Sequence, residues 1–262
     1  MGRSFFITML LLLPLGLHAA ESIPKEFEGI GIIPQLGTEL PKDLHFRDEE
    51  GRDILFSKFF NGQKPVVLAL AYYECPNLCT FLLNGATESF KKLNWSVGKE
   101  FEFVAVSIDP KDDAVLAKEK KEAYLDLYKR PETKNGWHFL TGDEKQIRAL
   151  ADTVGFGYRY DSETKEYLHA AGLFILTPQG KLARVLSGIQ FPERDMKLAL
   201  LESASGKIGN MVDRLLLFCY RYDPKENKYA LFATRLMKVG GAGILIFLGG
   251  LVSRLKKKES NV

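Results

Sequence analysis

The chain has 262 residues, 46% of them hydrophobic and 26% charged, with 36 basic and 33 acidic side chains for a net charge of +3. That length allows one sizeable core plus appendages, and so mild a charge, with no basic stripe interleaved with aromatics, gives no case for nucleic-acid binding. Three cysteines are too few for a disulfide scaffold.

Residues 1–20 carry Arg3, an apolar run from Phe5 to Leu17, then Ala19-Ala20. A short basic start, an apolar stretch and small residues make a secretory signal peptide. An uncleaved anchor is the alternative, but the run is shorter than the roughly 20 residues a span needs. Residues 21–43, with three Pro and three Gly up to Pro41, read as an extended lead-in. Leu44 to Arg47 and Arg52 to Phe56 flank Asp48-Glu49-Glu50-Gly51, a hairpin signal. Ser57 is expected to cap a short helical turn through Phe60.

Val66 to Ala71 is a continuous apolar run, expected as a buried strand, and Phe81 to Leu93 is expected as a helix. Phe101 to Ile108 reads as the next strand. Asp109-Pro110 then looks like an N-cap and first helical position. Ala114, Ala117, Tyr124, Leu125 and Tyr128 form the inner face of that helix, Lys118 to Glu122 a solvated charge run, and Pro131 its end. Trp137 to Leu140 is a short strand. Asp143 and Gln146 suggest a capping box for a helix that Gly155 closes. Phe156 to Tyr160 and Glu166 to Leu168 flank a polar turn, Gly172 to Thr177 and Lys181 to Ser187 form a hairpin, and Pro192 to Ser203 is a closing helix. A hairpin, three alternations of strand and helix, a second hairpin and a last helix are the thioredoxin arrangement: α/β, a central mixed sheet with flanking helices.

Residues 206–235 are expected as a helical extension, beginning with an amphipathic stretch from Lys207 to Phe218. Residues 236–253 are Gly-rich and apolar apart from Lys238, and Arg254-Leu255-Lys256-Lys257-Lys258 follows. This pattern predicts a C-terminal transmembrane helix and a basic cytoplasmic tail, 254–262. With the export signal, it places the body on the periplasmic or extracytoplasmic face of the cytoplasmic membrane. Cys219, among Leu215, Leu216, Leu217 and Phe218, reads as a small apolar residue.

Cys75 and Cys79 sit where a strand hands over to a helix. Unsatisfied N–H groups at a helix N-terminus favour a thiolate. A helical turn there would bring both sulfurs to one face, fit to close a disulfide or to hold one soft metal ion. Structural zinc would want a second ligand pair, and none exists. Two thiolates and one imidazole suit copper. His45, His138 and His169 are the candidate third donors. His45 lies in the first hairpin and His138 in a strand; His169 precedes a core strand, on a loop that faces the dithiol in a thioredoxin-like fold.

The chain resembles the SCO/SenC family, the thioredoxin-like copper-delivery proteins of cytochrome c oxidase assembly. The resemblance rests on Cys75-Pro76-Asn77-Leu78-Cys79, Val106-Ser107-Ile108-Asp109-Pro110, Trp137-His138-Phe139-Leu140-Thr141-Gly142, and His169 followed by Leu173-Phe174-Ile175-Leu176-Thr177-Pro178-Gln179-Gly180. It implies a copper-binding domain over 44–205, copper ligands at Cys75, Cys79 and His169, and delivery to the CuA centre of the oxidase subunit. The tail is similar to a bacterial subgroup with a C-terminal anchor. Asn77 stands where many members have Asp, and Thr80 where many have Pro. The enzymatic alternative is a thiol–disulfide oxidoreductase that cycles Cys75 and Cys79 to keep the partner's copper-site cysteines reduced. A peroxiredoxin-like activity ranks low, since Tyr72 stands where its supporting Thr is expected. Asp109 is a further ligand suspect that an N-cap role explains as well.

Overall fold

The computed structural model describes residues 29–75, 77–204, 220–223 and 228–231. The expected signal peptide, the transmembrane helix, the basic tail and Cys219 lie outside these residues. Among the described residues no helix is long and apolar enough to cross a membrane.

The centre is a five-stranded sheet ordered β10-β9-β4-β5-β6, formed by β4 (Val66–Ala71), β5 (Glu102–Ser107), β6 (Trp137–Leu140), β9 (Gly172–Leu176) and β10 (Leu182–Ser187). The β4, β5 and β6 strands run parallel, while β9 is antiparallel to β4 and β10 to β9. Every residue of β4 is buried. A strand covered on both faces needs apolar residues throughout, which is why its sequence runs Val-Val-Leu-Ala-Leu-Ala without alternation. Helices α1 (Leu78–Lys92), α2 (Ala114–Tyr128), α3 (Glu144–Val154) and α4 (Glu193–Ser203) flank the sheet. This is the mixed α/β, thioredoxin-like arrangement expected from the order of elements. A smaller sheet joins β1 (Gly31–Ile32) to β7 (Phe156–Asp161) and β8 (Glu166–His169). The hairpin of β2 (His45–Arg47) and β3 (Asp53–Leu55) meets the end of β6 through the Arg47–Thr141 bridge.

Several expectations need correction. Helix α1 begins at Leu78 rather than Phe81, which puts Cys79 inside its first turn. Asp109 does not cap α2; Asp113 does, accepting from the Leu116 N–H. Asp109 accepts from the Lys111 N–H instead, in a turn that precedes the helix. Asp-Pro suits either a cap or a turn, and an aspartate at 113 decides which. Ser57 caps nothing: the short 3₁₀ turn Phe56–Phe59 starts after Leu55 with no side-chain cap. The Lys118 to Glu122 run is not wholly solvated, because the Lys121 ammonium pairs with Glu49, both largely shielded from water. Pro131 opens a 3₁₀ turn (Pro131–Gly136) after α2 has already ended at Tyr128, with Lys129 as its C-cap. Asp143 caps α3 as expected, but the Gln146 side chain accepts from the His45 N–H in place of closing the box. Within the stretch expected to be helical, Tyr220–Asp223 and Lys228–Leu231 form a two-stranded hairpin, β11 and β12.

Candidate metal and thiol site

The site lies beyond the C-terminal end of β4. The chain leaves that strand at Ala71 and passes Tyr72, Tyr73 and Glu74 to Cys75. The Asp112 carboxylate holds this connection. Its Oδ2 accepts from the Tyr73 N–H at 2.7 Å and from the Ser107 hydroxyl at 2.5 Å, so the turn is tied to the end of β5. Asp112 is buried, and that burial pushes its pKa up.

Asn77, at the N-cap of α1, makes no side-chain cap bond. Sulfur does part of that work. The Cys79 N–H donates to Cys75 Sγ at 3.4 Å, and the Thr80 hydroxyl donates to the Cys75 carbonyl at 3.0 Å. A first-turn N–H is thus satisfied by the Cys75 sulfur. The pKa of Cys75 falls to about 4, because the Cys79 thiol hydrogen-bonds it, outweighing burial; the Cys79 N–H, the Tyr72 hydroxyl and the Asn77 N–H add to the effect. Cys79 moves the other way, pushed up by its bond to Cys75 and by burial. One thiolate and one thiol is the expected ground state of such a pair. Both cysteines are reduced and buried.

His169 arrives from the other end of the sequence. Because β9 runs antiparallel to β4, with Leu173 opposite Ala69, the residues just before β9 lie beyond the end of β4. That is where Cys75 and Cys79 are. His169 Nε2 stands 3.1 Å from Cys79 Sγ. Its Nδ1 is 2.8 Å from the Ala170 carbonyl. A carbonyl can only accept, so the proton sits on Nδ1 and the Nε2 lone pair faces the sulfur. Burial lowers the His169 pKa and favours this neutral form. A second bond that fixes tautomer and ring orientation is the usual support of a metal-binding imidazole.

The other candidates are elsewhere. The His45 ring pairs with Asp53 at 3.0 Å on an exposed hairpin. His138 sits against Phe59 and near Glu102, at 3.4 Å from its carboxylate. In register it lies opposite Val104, itself opposite Leu68, near the middle of the strands. Asp109 touches neither sulfur among its recorded bonds; its Oδ1 lies 3.5 Å from the Tyr167 hydroxyl. Sequence reasoning passed over Asp112, Tyr167 and the Ala170 carbonyl, noted Thr80 only as a departure from Pro, and read Tyr72 only as a missing Thr. The single available signal was the position of Tyr72 and Thr80 beside the cysteines.

No three of the described His, Cys, Asp and Glu side chains converge on one point as a ready metal cage. The contacts run pairwise, from Cys75 to Cys79 and from Cys79 to His169. The Nε2 lone pair faces Cys79 Sγ, and a soft ion entering between them would displace the thiol proton. The donor set itself, two sulfurs and a neutral imidazole, fits a thiophilic, low-coordinate metal.

Fold and site together define a thioredoxin-like α/β protein with a reduced Cys-x-x-x-Cys pair and a facing histidine. Residues 38–202 match the SCO1/SenC family model, and the chain belongs to that family. A search of curated proteins finds no match. Among solved structures, a protein from Aquifex aeolicus VF5, described provisionally as an electron transfer protein, aligns at TM-score 0.58 and 20% identity, covering 65% of this chain and 95% of its own. BsSco, a member of the Sco family of cytochrome c oxidase assembly proteins in which a disulfide switch was identified, aligns at TM-score 0.50 and 18% identity, covering 68% and 97%. ScoI of Arabidopsis thaliana, solved with copper bound, is more distant, at TM-score 0.45 and 17% identity, covering 58% and 87%.

Proposed function

We propose that this protein is a copper metallochaperone that holds copper through Cys75, Cys79 and His169 and hands it to the CuA centre of cytochrome c oxidase during assembly. The observation that carries this is the 3.1 Å contact between Cys79 Sγ and an Nε2 whose lone pair is set by the Nδ1–Ala170 bond. A dithiol used only for redox exchange has no need of an imidazole fixed in its metal-binding tautomer.

Copper is the cargo. Cys75 offers a ready thiolate, and Cys79 supplies the second sulfur when the metal displaces its proton. Release follows by ligand exchange, with the partner's donors replacing these three in turn. The export signal and the basic-flanked tail support a periplasmic or extracytoplasmic body anchored to the cytoplasmic membrane at the C-terminus. The partner is then the oxidase's copper-bearing subunit or another copper carrier.

The second reading, a thiol–disulfide oxidoreductase that keeps the partner's cysteines reduced, is favoured by the asymmetric titration of the two sulfurs. The two roles are compatible, because copper loading needs reduced thiols.

Copper titration of the reduced protein separates them, comparing wild type with Cys75→Ser, Cys79→Ser and His169→Ala. The expected outcome is one copper bound per wild-type chain, with binding abolished by either Ser variant. His169→Ala should weaken binding by roughly 10–100-fold or more, the range seen when even a support of a ligand is removed, while thiol–disulfide exchange stays near wild type. Copper binding that is indifferent to His169→Ala would leave only the redox role.

A further inference from the structure

Between the end of β4 and the start of α1 the chain is pinned at Tyr73, and the pin uses neither sulfur. The last step of the β4–β5 ladder sets Ala71 opposite Ser107, and the Ile108 N–H donates to the Ala71 carbonyl at 3.0 Å. Two residues further on, the Tyr73 N–H donates to Asp112 Oδ2 at 2.7 Å. A side chain therefore extends the parallel ladder past the point where its strand has ended. The same oxygen accepts from the Ser107 hydroxyl at 2.5 Å, and Ser107 Oγ accepts from the Asp109 N–H at 3.1 Å, so the carboxylate is itself held by the end of β5. On the far side, the Tyr73 phenol oxygen lies 3.0 Å from the Ala105 carbonyl and 2.8 Å from that of Leu140. Tyr73, Asp112 and Ser107 are all buried.

The bonds recorded for Cys75 are, by contrast, local. Its N–H donates to the Tyr72 carbonyl at 3.3 Å, its carbonyl accepts from the Thr80 hydroxyl, and its Sγ accepts from the Cys79 N–H. Its place relative to the sheet, and so to His169 arriving ahead of β9, is inherited from Tyr73 two residues earlier.

We propose that Asp112 is a positioning residue for the thiol pair: its carboxylate oxygen, acting through the Tyr73 N–H, holds Cys75 where its sulfur can share a metal ion, or a disulfide, with Cys79. The proposal rests on the copper reading for its cargo, but the brace acts on the metal-free thiols as well. A buried N–H that loses its acceptor is costly, and the connection relieves that cost by shifting toward water, taking Cys75 with it. What the brace requires is an acceptor oxygen rather than a charge. An asparagine whose oxygen takes the Oδ2 position accepts both hydrogens and is neutral, while leucine has the bulk and no acceptor.

Two measurements on the full chain, in a Cys219→Ser background, test the brace. The first is copper titration, read as affinity for copper(I) against a competing chelator and as the thiolate-to-copper(II) charge-transfer band. The second is metal-free equilibration with glutathione, in which the dithiol and oxidised glutathione give the Cys75–Cys79 disulfide and two molecules of reduced glutathione. Asp112→Leu should weaken copper binding by roughly 10-fold, the low end of what losing the support of a ligand costs, shift the band, and lower the disulfide equilibrium constant. Asp112→Asn should stay close to wild type in all three. Asp113→Ala, which weakens the start of α2 without touching the brace, should lose stability and leave all three unchanged. A folded Asp112→Leu protein with wild-type values overturns the proposal, and so does an Asp112→Asn protein that falls as far as Asp112→Leu. If Asp112→Leu does not fold, Ser107→Ala, which removes one of the two hydrogens that Oδ2 accepts, is read in its place. It should move the same values in the same direction, and unchanged values there overturn the brace. Absence of copper binding in wild type overturns the metallochaperone reading, and the glutathione equilibrium then decides the brace alone.

Discussion

At the scale of single residues, the decisive asymmetry lies between Cys75 and Cys79. Four atoms aim hydrogens at Cys75: the Cys79 sulfur and N–H, the Tyr72 hydroxyl and the Asn77 N–H. Its acidity follows from them, and so does a pH profile. The thiolate absorbance of the reduced protein should persist below the ordinary thiol value of 9.0 and disappear near pH 4. Cys79→Ala removes the largest contributor and should move that midpoint upward. In stability terms, a depressed pKa contributes in full above 9.0, and the contribution is lost as pH falls through about 4. Acid titration of the reduced protein, followed by thiolate absorbance and by unfolding, checks both. The cysteine pair and its helix N-terminus were legible in sequence. The Asp112 anchor was not, because a side chain's partner across strands leaves no local pattern.

At the scale of elements, the start of α2 shows how two equally good sequence signals are resolved. Asp109-Pro110 and Asp113 both offer an N-cap, and the helix takes the second. Asp113→Ala should therefore cost about 1 kcal/mol of stability, the usual worth of a cap, whereas Asp109→Ala should leave the helix start unchanged. Denaturant unfolding of the two variants distinguishes them. Another element-scale constraint is the fit of α1 against the loop after β10. A Cβ on Gly85 would lie 1.9 Å from the Ile189 carbonyl oxygen. The glycine permits the close approach that seats α1, and with it the cysteines, on the closing part of the fold. Strand and helix periodicities had located these elements well, since each is driven by its own buried face.

At the scale of the whole molecule, the Glu49–Lys121 pair ties the turn of the first hairpin to α2, and the same carboxylate receives the Phe139 N–H of β6 at 3.4 Å. Both side chains are largely withdrawn from water, at 5% and 15% exposure. Removing one partner strands the other charge, so Lys121→Met should cost about 3 kcal/mol in unfolding free energy. Glu49→Gln combined with Lys121→Met should recover much of that loss, since the uncompensated charge is then gone. Urea unfolding of the single and double variants measures the difference. In sequence these residues looked like a hairpin tip and a solvated charge run, because nothing local announces an ion pair between positions so far apart.

The sequence by itself determined the class of fold and the place of the dithiol. Apolar runs, caps and turn residues act over a few neighbours, and their order allows few topologies. It also narrowed the third donor to three histidines and pointed to His169 by its place before a core strand, without fixing which atoms meet. That is decided by strand pairing. With Leu173 opposite Ala69, the antiparallel register of β9 on β4 carries His169 past the end of β4 to Cys79, while His45 stays on an exposed hairpin and His138 within the parallel strands. Which atoms meet across such distances is fixed by the register of the sheet, and the tertiary structure alone supplies that register.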